Sequence, residues 1–302
     1  MGVIFFREPK LDNPVMIACW PGIANIGLIA VENLKDLMEA EELGEIEPME
    51  FFYPKKVIIR DGELKDLEFP SSRFYYKRMK ERDLLFFIGE EQPSEGGRAY
   101  AEGVRAYQMA DMVIDVAVRF GCRRIYTSGA AVAAIHHTFK PRVWAVPNYR
   151  HLIAEVKRIP NTVLMSDIAE RQGQGSIVGL NGLLLGVARK RGIEAICLMG
   201  EIPIYLQGFP IPYPKASKSV LEAFTRVLNL SLDLSVMDEI VARSEVETEH
   251  LFESFPVEIR EQIDKLKSIT VSEPSPEPIT EEDKKKILED IDKLFKQGPK
   301  GE

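Results

Sequence analysis

The run VMIACW at residues 15–20, followed by PGIANIG at 21–27, decides how the rest of the chain is read. Six apolar residues without a polar interruption describe a strand covered on both faces, as in the middle of a parallel sheet. The glycine-bearing turn then leads into residues 28–43, where Leu28, Val31, Leu34 and Leu37 or Met38 recur at helical spacing. The same alternation continues down the chain. LLFFIG at 84–89 is a second buried strand, followed by a long helix from about Arg98 to Phe120 that Gly121 ends. Residues 124–128, 143–146 and 162–165 are further strands, with one helix at 149–158 closed by Pro160. A helix at 177–191, stopped by Gly192, feeds a strand at 195–199. Residues 51–60 and 63–69 flank Asp61-Gly62, the pair that supplies the positive φ angles of a tight hairpin. Ser219 and Glu222 have the spacing of a capping box opening a helix to Asn229. Strands alternating with helices predict an α/β layered fold in one domain, with a mostly parallel, mixed sheet.

The chain has 302 residues, 45% hydrophobic and 28% charged, which excludes whole-chain disorder, collagen-like repeats and coiled coil. The formal charge is 39 − 47 = −8, and it is unevenly placed. From Met237 onward there are 18 acidic and 10 basic residues, whereas the preceding 236 hold 29 of each. An acidic balance argues against a nucleic-acid-coating surface, which needs clustered cations. Residues 1–236 therefore read as an α/β core domain and 237–269 as a two-helix extension, with Phe252, Phe255, Ile259, Ile263 and Leu266 on one stripe. Residues 270–280 (TVSEPSPEPIT) form a Pro/Ser/Glu linker. Residues 281–302 carry an amphipathic helix whose apolar positions are Ile287, Leu288, Ile291, Leu294 and Phe295. Cys19, Cys122 and Cys197 are isolated among apolar neighbours and read as buried thiols of a reducing compartment. The N-terminal apolar run is too short for a signal peptide and no run reaches membrane-spanning length, so a soluble, cytoplasmic protein without membrane partners is expected.

Four segments fall where strands of a parallel sheet end, the usual place for a ligand crevice. WPGIANIG offers Gly22 and Asn25 at a helix N-terminus, but Ala24 stands where a dinucleotide fingerprint has its second glycine. GEEQP places the carboxylates of Glu90 and Glu91 after a buried strand. TSGA contributes Ser128 and Gly129, small enough for close approach. GEIP contributes Glu201, behind a helix that supplies Asn181 and glycines at 175, 179, 182 and 186, which read as a smooth packing ridge. His136 and His137 are adjacent, and neighbours on a regular helix or strand do not face the same way. His151 and His250 are solitary, so no metal site and no cofactor are expected.

Taken together, WPGIANIG, FIGEEQPSEG, TSGA and above all GSIVGLNGLLLGVARKRGIEAICLMGEIP resemble the proteasome-assembly-chaperone-2-like family of archaea and bacteria, over about residues 15–234. The resemblance implies a three-layer αβα fold of nucleoside-phosphorylase-like architecture and homo-oligomers, often trimers. It also implies a role like that of the eukaryotic relatives, which are chaperones of proteasome α-ring assembly. The chain ends Lys300-Gly301-Glu302, without the hydrophobic–Tyr–any-residue ending of some archaeal relatives. The leading expectation is a non-enzymatic, oligomeric assembly or scaffold protein that binds itself and either proteasome subunits or another protein complex, using its tail helices as partner contacts. The competing one is an enzyme or sensor binding a nucleoside or phosphorylated ligand in the strand-end crevice. None of the four segments carries an Arg or Lys at its tip to anchor phosphate.

Overall fold

Side chains on VMIAC alternate between two cores, and this is why the strand carries no polar residue. Val15, Ile17 and Cys19 enter one core while Met16, Ala18 and Trp20 enter the other. A computed structural model describes residues 2–94, 103–168 and 175–269. Its first half runs β1 (Val3–Phe5), β2 (Val15–Cys19), α1 (Ile26–Leu37), β3 (Glu41–Ile46), β4 (Lys56–Arg60), β5 (Glu63–Glu68), β6 (Ser72–Lys77), β7 (Leu84–Gly89) and α2 (Gly103–Arg119). The second half runs β8 (Arg124–Ala133), β9 (Val143–Pro147), α3 (Ile153–Val156), β10 (Thr162–Leu164), α4 (Leu180–Lys190), β11 (Glu194–Pro203), α5 (Pro214–Val227), α6 (Ser235–Glu253) and α7 (Val257–Ile269).

Nine strands form one sheet in the order β1-β3-β6-β7-β2-β8-β11-β9-β10. The centre, β7-β2-β8-β11, is parallel, and so is the β9–β10 pair. The wing β1-β3-β6-β7 and the β11–β9 pair are antiparallel. Helices α1 and α5, joined by α6 and α7, cover one face, while α2 and α4 cover the other. The fold is the expected three-layer α/β sandwich. Met237, Phe252, Phe255, Ile263 and Leu266 are buried in the same core as α1 and α5, so α6 and α7 pack on the sheet's own helices.

Local departures from the sequence reading have physical causes. The first helix ends at Leu37, because Glu39 adopts a left-handed conformation (φ 49°) and reverses the chain into β3, which buries Leu43. Strand β6 went unread, although Ser72, Phe74 and Tyr76 alternate inward. The β8 and β11 strands each run ten residues, beyond their apolar starts. The helix expected at 149–158 is split into a 3-10 turn, Arg150–Leu152, and the short α3. Ser219 and Glu222 do not cap anything: α5 begins five residues earlier with Pro214 in its first turn, where the missing N–H costs nothing. Ser219 instead donates to the Pro141 carbonyl (2.8 Å) and Glu222 pairs with Lys140 (2.7 Å). The glycine ridge is not a ridge either. Gly179 precedes α4 at φ 78°, Gly182 faces Ile177, and Gly186 faces open space.

The glycine that does control packing is Gly27. A Cβ there would lie 2.6 Å from the Ser128 carbonyl carbon and 2.7 Å from the Gly129 nitrogen, so α1 rests directly on the backbone of β8. Gly27→Ala must push α1 off the sheet and should lower stability by about 1–3 kcal/mol or more. Gly186→Ala, on an exposed turn of α4 with nothing within 4 Å, should raise it by about 0.5–1 kcal/mol. Urea unfolding of the two variants against the wild type checks both signs.

Candidate functional site

Strand β2 pairs with β7 only as far as Cys19, so the buried Trp20 leaves the ladder with both backbone groups needing partners. The carboxamide of Asn181, at the start of α4, supplies them. Its Oδ1 accepts from the Trp20 N–H and its Nδ2 donates to the Trp20 carbonyl, both at 3.0 Å. Thr127 on β8 donates its hydroxyl to the Asn181 carbonyl at 2.9 Å. Gln92, after β7, donates to the Pro21 carbonyl at 2.5 Å and accepts from the Leu180 N–H at 2.9 Å. The indole of Trp20 fills the place a Gly89 side chain would take, since a Cβ there would come within 2.3 Å of Trp20 Cδ1. The ends of β2 and β7, the interior of β8 and the start of α4 are thus fastened together.

Of the sequence-selected crevice residues Asn181 takes part in this fastening, and the others are held by partners of their own. Gly22 and Asn25 lie in the β2–α1 turn, where Ala24 and Asn25 both take φ 51° and the Asn25 N–H bonds the Gly22 carbonyl at 3.0 Å. Ser128 is buried and donates to the Leu198 carbonyl at 2.8 Å, while Gly129 lies in ordinary contact with Met199. Glu90 accepts from the Ser71 N–H at 2.9 Å and pairs with Lys55, whose ammonium holds the carboxyl below its usual range. Glu91 stands 3.8 Å from the same ammonium. Glu201 lies farther along β11 and is 1% exposed. It accepts from the Arg142 N–H (2.8 Å), Arg142 Nε (2.9 Å) and Trp144 Nε1 (2.6 Å), with Arg142 Nη2 also at 2.8 Å. Its side chain is thus engaged by Arg142 and Trp144, whereas Asn181 is bonded to Trp20 and Ser128 to β11. Burial pushes the thiols of Cys122 and Cys197 up to about 12 and that of Cys19 higher still, which leaves all three unreactive. Among the described residues no His, Cys, Asp and Glu cluster could hold a metal. The tail positions Ile287, Leu288, Ile291, Leu294 and Phe295 lie outside the described residues.

A second polar cluster escaped the sequence reading. His136 and His137 sit in an irregular turn after β8, free of helix or strand geometry, and their rings pack 4.1 Å apart. His137 Nδ1 meets the Tyr205 hydroxyl at 2.8 Å and its Nε2 meets Glu249 of α6 at 3.0 Å. His136 Nε2 stands 3.4 Å from Asp264 of α7. Lys215 donates to the His137 carbonyl and pairs with Glu245, each at 2.8 Å. His137, Lys215, Glu245 and Glu249, with Thr138, Tyr213 and Thr248, line a cavity of about 200 Å3 beside α6. Phe252 packs on both imidazoles. The adjacency rule that separates neighbouring side chains on a regular element does not apply to a turn, and the Pro141 that follows was the available sign of one.

The profile of the PAC2 family matches residues 16–252, which span every one of these contacts up to Glu249. The chain belongs to the PAC2 family. Its similarity to the crystal structure of Pyrococcus furiosus PbaB, an archaeal proteasome activator, extends over 83% of this chain and 98% of that one, at 28% identity and a TM-score of 0.68. An uncharacterized protein of Methanocaldococcus jannaschii is 28% identical over 233 residues, 77% of this chain and 80% of the relative. Pyrococcus furiosus PbaA, an archaeal homolog of proteasome-assembly chaperone, shares the fold at 18% identity and a TM-score of 0.60, over 89% of this chain and 99% of that one. The PAC2 resemblance read from WPGIANIG, FIGEEQPSEG, TSGA and GSIVGLNGLLLGVARKRGIEAICLMGEIP is therefore correct, and in this structure Trp20, Gln92, Thr127 and Asn181 of those motifs meet in one fastening.

Two outcomes follow for this PAC2 chain. Asn181→Ala strands two buried backbone groups of Trp20 and should cost roughly 2–4 kcal/mol in urea unfolding, with Asn181→Asp restoring only the acceptor half. Burial together with the neighbouring His137 holds the His136 pKa down to about 4, and burial lowers His137 as well. The unfolded imidazoles, near 6.5, bind more protons, so stability should be full above about pH 6.5 and fall as the pH drops toward 4. His136→Gln should flatten the pH dependence of the urea midpoint across that window, measured against the wild type.

Proposed function

We propose that this PAC2-family chain is a non-enzymatic assembly or scaffold protein of the cytoplasm, which associates with itself and holds other protein subunits, proteasome subunits first among them. The observation that carries the reading is the 28% identity to the Pyrococcus furiosus proteasome activator across 98% of that chain. The strand-end geometry supports it. The polar side chains around the ends of β2 and β7 and within β8 are engaged in holding the fold, which moves partner contacts to outer surfaces. A trimer is the assembly that the family resemblance favours. The apolar spacing of Ile287, Leu288, Ile291, Leu294 and Phe295 supports a role for the tail in gripping the partner. No helix among the described residues is long and apolar enough to cross a membrane, and the net charge of −8 disfavours nucleic acid.

The test mixes the full chain with proteasome α subunits, and separately with assembled proteasome, from the same source, and follows complex formation by size exclusion with light scattering. Co-elution with one of them is expected, and removal of residues 281–302 should weaken it by about tenfold or more. Absence of any complex with either form at about 50 μM would overturn the proposal.

A further inference from the structure

The cavity beside α6 is walled by one polar group that has nothing to bond. Tyr213 lines it and is 2% exposed, and its hydroxyl finds no hydrogen-bond partner among the described residues. Burial, and after it the charge of Glu245 reaching across from α6, hold the phenol pKa above its usual value. The group is therefore a neutral O–H, able to donate as well as accept. Buried hydroxyls are seldom left without a partner, and here the space beside the ring is open rather than packed.

The other donors in the wall are already engaged. Lys215 donates to the carbonyls of His137 (2.8 Å) and Thr138 (3.3 Å) and to Glu245 (2.8 Å). Glu249 can only accept, so His137 Nε2 is the ring's N–H, and Nδ1 of the neutral imidazole accepts from Tyr205. Thr248 donates to the Ser244 carbonyl at 2.8 Å. What remains is acceptor capacity. An ionised carboxylate offers about four acceptor positions, and Glu245 and Glu249 stand one helical turn apart on α6, about half exposed at the rim. With His137 neutral, one lysine against two glutamates leaves the wall negative.

An acceptor-rich, negative pocket with an unpartnered hydroxyl deep in its wall suits a cation that brings its own N–H donors. A bare metal ion does not fit, since no His, Asp and Glu grouping among the described residues converges on one point. Phosphate does not fit either, because the one lysine in the wall already holds three acceptors. A cavity of about 150 Å3 admits benzene, so one of about 200 Å3 admits a chain of a few carbons with a polar group at each end. We infer that this cavity binds a small alkylammonium ligand, whose ammonium bonds Glu245 and Glu249 and whose second polar end meets the Tyr213 hydroxyl. The inference goes beyond the assembly role above and does not depend on it. Glu245 and Glu249 belong to α6 and Tyr213 to the core domain, so the bound ligand ties the helical extension to the body.

The experiment titrates the full chain with diaminobutane and with aminobutanol by isothermal titration calorimetry. Salt at about 0.15 M screens non-specific attraction of cations to the acidic protein. One equivalent of each ligand should bind the wild type. Tyr213→Phe removes an oxygen that bonds to nothing in the protein, so circular-dichroism melting should show it folded. Its Kd for both ligands should rise about threefold or more, whereas n-butylamine, lacking the second polar end, should bind it and the wild type alike. Glu245→Gln/Glu249→Gln should raise the Kd of all three amines about tenfold or more. If that double variant melts early, the Tyr213→Phe comparison decides. No binding to the wild type up to about 10 mM ligand would overturn the inference, leaving a cavity that holds only water. An affinity unchanged in either folded variant, or equal binding of butanediol or butyrate, which carry no ammonium, would overturn it as well.

Discussion

The carboxamide of Asn181 stands in for a strand residue. Where β2 leaves the sheet at Trp20, one side chain from a helix 161 residues away satisfies both backbone groups of that residue, at 3.0 Å each. Each unsatisfied group would cost about 1–3 kcal/mol in the buried state. Other features are conditional on this contact. Trp20 can turn inward only because Gly89 has no side chain, and α1 can start immediately after the turn only because Gly27 lets it touch β8. Gln92 and Thr127 then fix α4 against the end of β7 and the interior of β8. A change at any of these positions reaches the others through backbone, which has no alternative rotamer to adopt.

That arrangement also assigns a meaning to the motifs by which the PAC2 membership is visible. A glycine-rich turn after a buried strand, a carboxylate pair after another and a small-residue run after a third have the outward form of a ligand crevice. Here the glycines at 27 and 89 admit backbone and indole, and Ser128, Asn181 and Glu201 each bond to protein. Residues of a binding site and residues of a tight strand-end packing are drawn from the same small and amide-bearing types. Sequence distinguishes them poorly; hydrogen-bond partners distinguish them well.

Elements with one strong period were legible in the sequence. The strands VMIAC and LLFFIG and the two helices after residue 235 have close to the expected bounds, and the hairpin turns at Asp61-Gly62 as expected although its first strand spans 56–60 rather than 51–60. What was lost lay at the antiparallel wing, where β3 and β6 carry mixed polar and apolar residues and their pairing is set by neighbours distant in sequence. The early end of α1 was lost for a different reason: a left-handed Glu39 is not a residue type that announces it. The His136–His137 cluster was hidden because its geometry comes from the absence of regular structure, and the partners, Tyr205, Glu249 and Asp264, come from three separate elements.

The charge asymmetry acquires a second role in the folded molecule. Residues 237–269 contain nine acidic and four basic side chains, an excess that in sequence marks this part as free for a partner. Four of those acids instead face the body: Asp238 pairs with Lys218, Glu245 with Lys215, Glu249 with His137, and Asp264 lies beside His136. The acidity of α6 and α7 is thus partly used in docking them, alongside the apolar contribution of Phe252, Phe255, Ile263 and Leu266, each worth about 1.5–3 kcal/mol when buried. The apolar contacts outweigh these polar ones, whose acidic partners are about half exposed and screened by water. The acids therefore set where on the body the helices sit more than how tightly they hold.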